Sequence, residues 1–291
     1  MAVIGAACGA GAPDPGTTEG PDALRRYRAF HDTPLQHVAW EAILRVPRGA
    51  RDTPLHAVAA LDAKLAQEVE AVLHAGYFPL VVGGDHSCAI GTWSGVHRAR
   101  APVGPIGLVW IDAHLDSHTF ATTPSGRIHG MPLAALLGHG EAALTSIGGA
   151  QAKLLPEHVC VIGARSYEAG EAALLERLGV RVFTMDEVRR RGLSAVFDDA
   201  LAIVGAGTAG YGVSIDLDVL DPDEAPGTGT PVAGGLKRDE LAAALARLAD
   251  DPAFLAMEIA EYNPRRDHGY ATARAVGALV DAIAPCPRKE T

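Results

Sequence analysis

The 291-residue sequence is poor in cysteine, in aromatic residues and in positive charge, and these shortages exclude several classes of protein. Its four cysteines lie far apart without a Cys-x-x-Cys pair, which argues against a disulfide framework and suits a reducing cytoplasm. The net charge of -10 argues against a nucleic-acid groove or an anionic membrane surface as a partner. No apolar run approaches the roughly 20 residues that a membrane helix needs. We therefore expect a cytoplasmic protein that binds neither nucleic acid nor membranes.

The sequence is rich in small and apolar residues. Hydrophobic residues make up 48% of the chain and glycine contributes 33 residues, which is enough for a large core of closely packed elements. The opening stretch, Ala2 to Gly11, is apolar, but no basic residue precedes it. We therefore expect a buried first strand there rather than a signal peptide.

Short apolar runs alternate with longer amphipathic stretches from end to end. The predicted strands are Val3–Ala7, Phe78–Val82, Ile106–Ile111, His158–Ile162, Gly212–Leu217 and Phe254–Ile259. The predicted helices include Leu61–His74, Glu168–Leu178, Arg238–Ala249 and Ala271–Ile283. Near-continuous apolar strands are typical of a parallel sheet with helices on both faces. With no repeat and no linker, the pattern predicts one α/β domain over residues 1–291.

Ionisable residues follow three of these predicted strands directly. A parallel sheet places its ligand sites beyond the carboxyl ends of the strands, so these side chains are expected to meet. Glycines before His86 allow a sharp turn that aims the imidazole into a cleft. Alternate residues of an extended segment share a face, which predicts that the side chains after the second strand point the same way. The residues concerned are His86, Asp112, His114, Asp116, Asp216 and Asp218.

Four carboxylates and two imidazoles at one edge of a sheet indicate a metal centre. Taken singly, each Asp could be a helix cap and each His a structural residue. Their coincidence at three strand ends favours cations, because unpaired buried carboxylates are costly. An oxygen and nitrogen set without thiolate suits manganese, with other divalent transition metals as alternatives. Six ligands are too many for one cation that must bind water, but they suit two that share carboxylates.

The motifs around these ligands resemble the signatures of the arginase (ureohydrolase) family. The matching segments are Gly83–Ser87, Asp112–Asp116, Ser214–Asp218, Leu220–Pro222, Pro226–Pro231 and Gly234–Gly235. The similarity begins near Gly20 and reaches Pro264, so it covers nearly the whole chain. The resemblance implies a three-layer α/β/α domain around a mainly parallel eight-stranded sheet. It also implies two Mn²⁺ per subunit on the six ligands, and a homotrimer or homohexamer.

The resemblance implies hydrolysis of a guanidinium group, most closely that of L-arginine to L-ornithine and urea. A guanidinium carbon is a poor electrophile, and a metal-bridging hydroxide would supply the strong nucleophile that it needs. Glu261 matches the family's active-site glutamate, whose carboxylate can hold the guanidinium. Glu258 is a competing candidate, but the sequence Glu-x-Asn-Pro favours Glu261. His129 matches the family's catalytic histidine and could carry protons to the leaving amine.

Residues that resemble the family's substrate contacts favour an amino-acid head group. Ser125 matches a serine that contacts the α-carboxylate, and His118 and Arg127 stand where well-studied arginases carry asparagines. An arginine offers a carboxylate a strong bidentate contact. Glu168 and Glu171 match acidic residues near the α-ammonium, although acidic residues at a helix N-terminus can also serve the helix alone. A basic group and an acidic pair together predict L-arginine rather than agmatine.

Other functions remain open at this level. The same centre could hydrolyse N-hydroxy-L-arginine, agmatine or a guanidino acid, and a non-catalytic homologue could keep the metals for stability. The segment Gly205–Gly210 spells a dinucleotide-binding fingerprint, but it follows a predicted helix and precedes a strand, the reverse of the required order. The tail after Ala284 is expected to be a loose end rather than a docking arm.

Overall fold

The computed structural model describes residues 1–27 and 38–284, and a single parallel sheet forms its centre. The strands, β1 to β8 in chain order, are Ala2–Ala7, Ala39–Arg45, Pro79–Gly83, Gly107–Ile111, Val159–Ala164, Arg181–Thr184, Tyr211–Asp216 and Phe254–Ala260. They lie side by side in the order β2-β1-β3-β8-β7-β4-β5-β6, and each neighbouring pair is parallel. The predicted eight-stranded sheet is therefore confirmed.

Helices cover both faces of this sheet. In the described residues, α1 to α10 are Gly20–Arg26, Pro54–His74, Ala89–Arg100, Pro132–Leu136, Ala142–Thr145, Ala169–Leu178, Met185–Arg191, Leu193–Gly205, Arg238–Leu245 and Ala271–Ala282. Helices α1 and α7 to α10 contribute to the hydrophobic cluster on one face, and α2 to α6 to that on the other. Local signals mark several ends: Thr53 caps α2 through its hydroxyl, and Gly179 ends α6 in a left-handed conformation.

Alternate residues of each central strand enter opposite clusters of the core. In β4, Val109 and Ile111 pack into one cluster, whereas Leu108 and Trp110 pack into the other. All five residues of β4 are buried, because helices cover the sheet on both sides. Burial on both faces explains why the central strands are continuous apolar runs in the sequence.

The six predicted strands are confirmed, but the two edge strands, β2 and β6, escaped prediction. Strand β2 includes Glu41 and several partly exposed residues, and β6 has only four residues. An edge strand is covered less completely than a central one, so its apolar pattern is weaker. The helix predicted from Leu61 also begins earlier, at Pro54.

Two further sequence predictions concern connecting segments. The glycine-rich stretch 205–210 runs from the end of α8 to the start of β7, so the helix-to-strand order that argued against a dinucleotide site is confirmed. Cys286 and the rest of the tail lie outside the described residues. Within the described ranges, no helix combines the length and the apolar character needed to cross a membrane.

Candidate metal centre

The predicted ligands come from the ends of β3, β4 and β7, which lie within the central four strands of the sheet. His86 opens a short 3-10 turn after β3, and Asp85 caps this turn by accepting the Ser87 N–H at 3.0 Å. The second oxygen of Asp85 accepts the Gly11 N–H at 2.9 Å, which ties the turn to the segment after β1. Asp85 is thus a structural residue that fixes the position of His86.

One group of ligand atoms surrounds the buried imidazole of His86. Its Nδ1 lies 3.0 Å from Asp116 Oδ2, 3.2 Å from Asp216 Oδ2 and 3.4 Å from Asp112 Oδ2. One candidate ligand atom from each of the four residues lies within 4.8 Å of the other three. Three carboxylates and one imidazole in this space are a suitable set for one divalent transition-metal ion.

A second group adjoins the first and shares one carboxylate with it. His114 Nδ1 lies 3.2 Å from Asp218 Oδ2 and 3.4 Å from Asp112 Oδ1. Asp112 therefore presents one oxygen to His114 and the other to His86. A carboxylate that faces two imidazoles in this way can bridge two cations.

The donor atoms of the first group fit a cation and do not satisfy one another. His86 Nδ1 and Asp116 Oδ2 are buried and have no hydrogen-bond partner among the described residues. Burial raises the pKa of Asp116 to about 7, with a further contribution from the charge of Asp112. Burial also raises the pKa of Asp216, as do the neighbouring carboxylates Asp218 and Asp112. A positive ion among these side chains would relieve both the repulsion and the lack of partners.

The segment that carries three of the ligands differs from its prediction. Asp112, His114 and Asp116 converge as expected, but they do so without a regular extended strand beyond Ile111. Asp116 has a φ of 46°, in the left-handed region that non-glycine residues disfavour. Strained backbone of this kind is common at functional sites and requires support from its surroundings.

Two neighbours of the candidate ligands were missed by the sequence analysis. Trp110 stacks on the His86 ring at 4.2 Å and donates its indole N–H to Asp112 Oδ2 at 2.9 Å. Thr230 donates its hydroxyl to Asp218 Oδ2 at 2.9 Å. Thr230 lies in the Pro226–Pro231 motif, so the sequence offered a signal that it belongs to the site. Trp110 offered none, because in the sequence it resembles the other core residues of β4.

Arg165, which follows β5, was also missed, and it holds the backbone of the candidate ligand Asp218. Its guanidinium donates to backbone carbonyl oxygens, including those of Asp218 at 2.7 Å and Val232 at 2.8 Å. Further contacts reach the carbonyls of Gly163, Leu220 and Ala233. Arg165 therefore joins β5 to the two loops that flank the second ligand group.

The two predicted catalytic residues lie in contact with each other. His129 Nδ1 is 3.0 Å from Glu261 Oε1, and the same oxygen accepts the His86 N–H at 3.0 Å. Glu261 is fully buried, and its Oε2 has no hydrogen-bond partner in the described ranges. Burial alone would lower the pKa of His129, but the hydrogen bond and charge of Glu261 raise it to about 9. Glu261 also has a left-handed backbone, with a φ of 67°.

A cavity of about 170 Å³ opens above the ligands and brings most of the predicted site together. The predicted residues that line it are His114, Asp116, His118, Ser125, Arg127, His129, Glu168, Glu171 and Asp216. His86, Asp112, Asp218 and Glu261 do not line the cavity and are buried. The structure therefore places a polar cavity directly over one side of the candidate metal centre.

The acidic wall of the cavity is built by His118, Glu168 and Glu171. His118 Nε2 lies 3.1 Å from Glu168 Oε2 and 3.6 Å from Glu171 Oε2, and its Nδ1 contacts Thr122 Oγ1. Glu171 also accepts the N–H of Glu168 at the start of α6, so it stabilises the helix as well as lining the cavity. Burial, with the charge of Asp116, raises the pKa of Glu171 to about 8.

The basic wall lies in the loop before His129. Arg127 and Ser125 are exposed residues that line the cavity, and Ser125 Oγ accepts the backbone N–H of Arg127 at 3.2 Å. The cavity is thus bordered by a guanidinium and a hydroxyl in one loop and by two carboxylates at the start of α6. This arrangement can contact a ligand that carries groups of both signs.

Known proteins resemble this chain along its whole length. A sequence profile of the arginase family matches residues 1–284. The arginase of Bacillus caldovelox is 41% identical over 295 residues, covering 97% of each chain. The crystal structure of the Bacillus cereus arginase superposes with a TM-score of 0.90 at 37% identity, covering 99% of each chain. The Entamoeba histolytica arginase, solved with L-ornithine, has a TM-score of 0.87 at 27% identity over 97% of both chains.

Proposed function

The chain belongs to the arginase family, and we propose that it hydrolyses L-arginine to L-ornithine and urea at a binuclear manganese centre. Its family and its relatives indicate a hydrolase that acts on C–N bonds in linear amidines. The observation that carries the proposal is the pair of His/Asp groups that share Asp112 beneath a cavity with acidic and basic walls.

Six residues would hold the two cations. His86 and Asp116 belong to the first group, His114 and Asp218 to the second, and Asp112 faces both imidazoles. Asp216 completes the first group, with its Oδ2 3.2 Å from His86 Nδ1. When bound, the cation pair supplies hydroxide at neutral pH and offsets the negative charge that develops during attack on the guanidinium carbon. Manganese is proposed because oxygen and imidazole ligands without thiolate suit it.

Glu261 is proposed to hold the guanidinium. One of its carboxylate oxygens is already engaged by His86 N–H and by His129, whereas Oε2 has no partner among the described residues. A free, buried carboxylate oxygen is a strong acceptor for a guanidinium N–H. Because Glu261 is fixed by its other contacts, it would orient the guanidinium without having to reorganise.

His129 is proposed to carry the proton to the departing amine. Its imidazole lines the cavity and hydrogen-bonds to Glu261, so it lies beside the proposed position of the guanidinium. Glu261 stabilises the imidazolium form, which is the form that can donate a proton. A histidine at the cavity wall can then recover a proton from solvent.

The walls of the cavity are proposed to select an α-amino acid. Arg127 and Ser125 would contact the α-carboxylate, and Glu168 and Glu171 would contact the α-ammonium. His118 belongs to the same acidic wall and would also contact the substrate. Its Nε2 lies 3.1 Å from Glu168 Oε2 and 3.6 Å from Glu171 Oε2. Agmatine lacks the carboxylate, so it could not use the basic wall, although its amine could still contact the acidic wall.

The test is the release of urea from L-arginine, agmatine and 4-guanidinobutyrate, and of hydroxyurea from N-hydroxy-L-arginine, by the manganese-loaded protein. We expect a preference for L-arginine that Asp116→Ala abolishes. Arg127→Ala should raise KM for L-arginine by about 10-fold or more and leave agmatine turnover nearly unchanged, since a charge-assisted contact contributes about 1.5–3 kcal/mol. Arg190→Ala, at an exposed arginine on α7, is the matched control. A preference for agmatine or 4-guanidinobutyrate would refute the assignment of the walls, whereas a preference for N-hydroxy-L-arginine would leave the walls intact and change the proposed substrate. No turnover despite bound metal would favour a non-catalytic homologue.

A cytoplasmic homotrimer or homohexamer is proposed for the assembled enzyme. The three cysteines within the described residues are buried and free, which suits a reducing compartment. Family resemblance supports the oligomer. Light scattering coupled to size-exclusion chromatography would test it, and a monomeric mass would contradict it.

A further inference from the structure

A buried glutamate behind the metal centre has no part in the proposed mechanism. Glu258 lies inside β8, is fully buried, and faces Ser214 on β7 across the sheet. Ser214 in turn faces Trp110 on β4, whose ring stacks on His86. A carboxyl group among central strands is costly unless its contacts compensate for the loss of water. The contacts of Glu258 must therefore offset the cost of its burial.

Two hydrogen bonds connect Glu258 to the far side of the His86 ring. His86 Nε2 lies 3.0 Å from Ser214 Oγ, and Ser214 Oγ donates to Glu258 Oε1 at 3.1 Å. The direct distance from His86 Nε2 to Glu258 Oε1 is 3.8 Å, too long for a hydrogen bond. The serine hydroxyl is therefore the link between the two side chains.

The single proton of the serine hydroxyl sets the direction of this chain of bonds. Since Ser214 gives its proton to Glu258, it can only accept from His86, so Nε2 carries the imidazole proton. Nδ1 then has the lone pair, and it is Nδ1 that faces Asp112, Asp116 and Asp216 without a hydrogen-bond partner among the described residues. The two hydrogen bonds thus present His86 in the tautomer that a cation requires.

We propose that Glu258 is a positioning residue that acts through Ser214 to hold His86 as a metal ligand. This proposal rests on the binuclear centre of the proposed function. The partner of the second nitrogen fixes the tautomer and orientation of a metal-bound histidine, and its loss typically weakens metal binding about 10- to 100-fold. Trp110 assists by holding the ring plane, but it makes no hydrogen bond to the imidazole.

The location of Glu258 makes the expected effect selective for one of the two cations. His86 belongs only to the first ligand group, whereas the second contains His114 and Asp218. Removal of the serine hydroxyl should therefore weaken the binding of one metal equivalent and spare the other. A general loss of structure would weaken both.

The experiment is a calorimetric titration of metal-free protein with Mn²⁺, with electron paramagnetic resonance to count coupled and isolated ions. In Ser214→Ala, we expect one equivalent of Mn²⁺ to bind about 10- to 100-fold more weakly. At metal concentrations where the wild type gives the spectrum of coupled ion pairs, this variant should give the spectrum of isolated ions. Ser94→Ala is the matched control, because its buried hydroxyl has no hydrogen-bond partner among the described residues. It should bind both equivalents like the wild type.

Two variants of the glutamate complete the test. Glu258→Gln keeps an oxygen that accepts the Ser214 hydroxyl proton, so it should keep most of the wild-type affinity for Mn²⁺. Glu258→Met has no such oxygen and should show the same loss as Ser214→Ala. Equal weakening of both equivalents, or no weakening in Ser214→Ala, would overturn the proposal. If the wild type itself binds no Mn²⁺, the proposed function fails first. If the wild type binds two ions and only the variants disagree, the positioning role alone fails.

Discussion

Gly84 lies at the closest approach of two strand ends, and its replacement by alanine should be severely destabilising. A methyl group there would overlap the carbonyl oxygen of Cys8 and lie 2.7 Å and 2.9 Å from the backbone carbon and nitrogen of that residue. All three atoms belong to the backbone beyond β1, so no side-chain rotation relieves the contact. The φ of Gly84 is not in the left-handed region, so the expected effect is steric.

Two backbone hydrogen bonds depend on this approach and allow an estimate of the loss. Asp85 donates its N–H to the Cys8 carbonyl at 2.8 Å, and Glu261 donates its N–H to the Gly84 carbonyl at 2.7 Å. Each net hydrogen bond contributes about 1 kcal/mol, and overpacking a close-packed site adds about 1–3 kcal/mol. Gly84→Ala should therefore lower the free energy of unfolding by about 3–5 kcal/mol, a large share of the total for a typical protein.

Denaturant unfolding of the metal-free protein would measure this difference, with Gly277→Ala as the matched control. Gly277 lies within α10, and a methyl group there would meet no atom within 4 Å apart from the neighbouring backbone of its own helix. Alanine is the better helix former, so this control should gain about 0.5–1 kcal/mol. If Gly84→Ala unfolds within about 0.5 kcal/mol of the wild type, the strand ends move apart easily and the reasoning is wrong. The same variant should also bind Mn²⁺ poorly, since Asp85 positions His86.

Three more changes test other parts of the structure. Burial, with the charges of Asp85 and Glu258, holds the pKa of Asp62 well above its usual value, so the folded state keeps a proton that the unfolded chain releases. Through this one group, stability should fall with rising pH by up to about 1.4 kcal/mol per unit below the folded pKa. Denaturant unfolding at pH 5 and 8 should therefore find a smaller fall in Asp62→Asn, in which Asp116, Asp216 and Glu171 keep their raised pKa values, and an unchanged fall would contradict the reasoning. Arg165→Lys should cost about 2–3 kcal/mol and weaken Mn²⁺ binding, because one ammonium cannot replace the forked guanidinium contacts, whereas exposed Arg190→Lys should change little in the same melts. Chelation should lower the unfolding free energy of the manganese-loaded protein by about 4 kcal/mol or more where the metal was present at 1,000 times its dissociation constant, and an unchanged melting temperature would count against a bound centre.

The central strands and the convergence of the candidate metal ligands were predictable because both depend on simple rules for parallel sheets. Burial on both faces gives β3, β4, β7 and β8 continuous apolar sequences, and the carboxyl ends of parallel strands share one edge. The candidate ligands therefore follow apolar runs directly, in positions that the sequence displays. The edge strand β6 lacks this signal, because four partly exposed residues resemble a loop.

The contacts among the residues around the candidate ligands were less predictable, because they depend on which strands and loops become neighbours. Ser214 and Glu258 are 44 residues apart, and only the pairing of β7 with β8 places them opposite each other. Likewise, His118 and Glu168 meet because the loop after β4 lies against the start of α6. The sequence singles out His118, Glu168 and Glu258 individually, but it does not show which residue each of them contacts.

Backbone conformation also limits what the sequence can predict, and the limit applies to residues of the candidate site. A regular strand would place Glu258 and Glu261 on opposite faces of the sheet, since their separation is odd. Both nevertheless contact His86, Glu258 through Ser214 at the ring and Glu261 at the backbone N–H, and Glu261 has a left-handed φ of 67° just beyond the strand. Such a conformation costs a non-glycine residue about 1–2 kcal/mol, so residue type argues against it and the surrounding contacts must supply the compensation. For Glu261 these contacts are the Gly84 carbonyl, the His86 N–H and His129, so the strain is offset by the same residues that complete the candidate site.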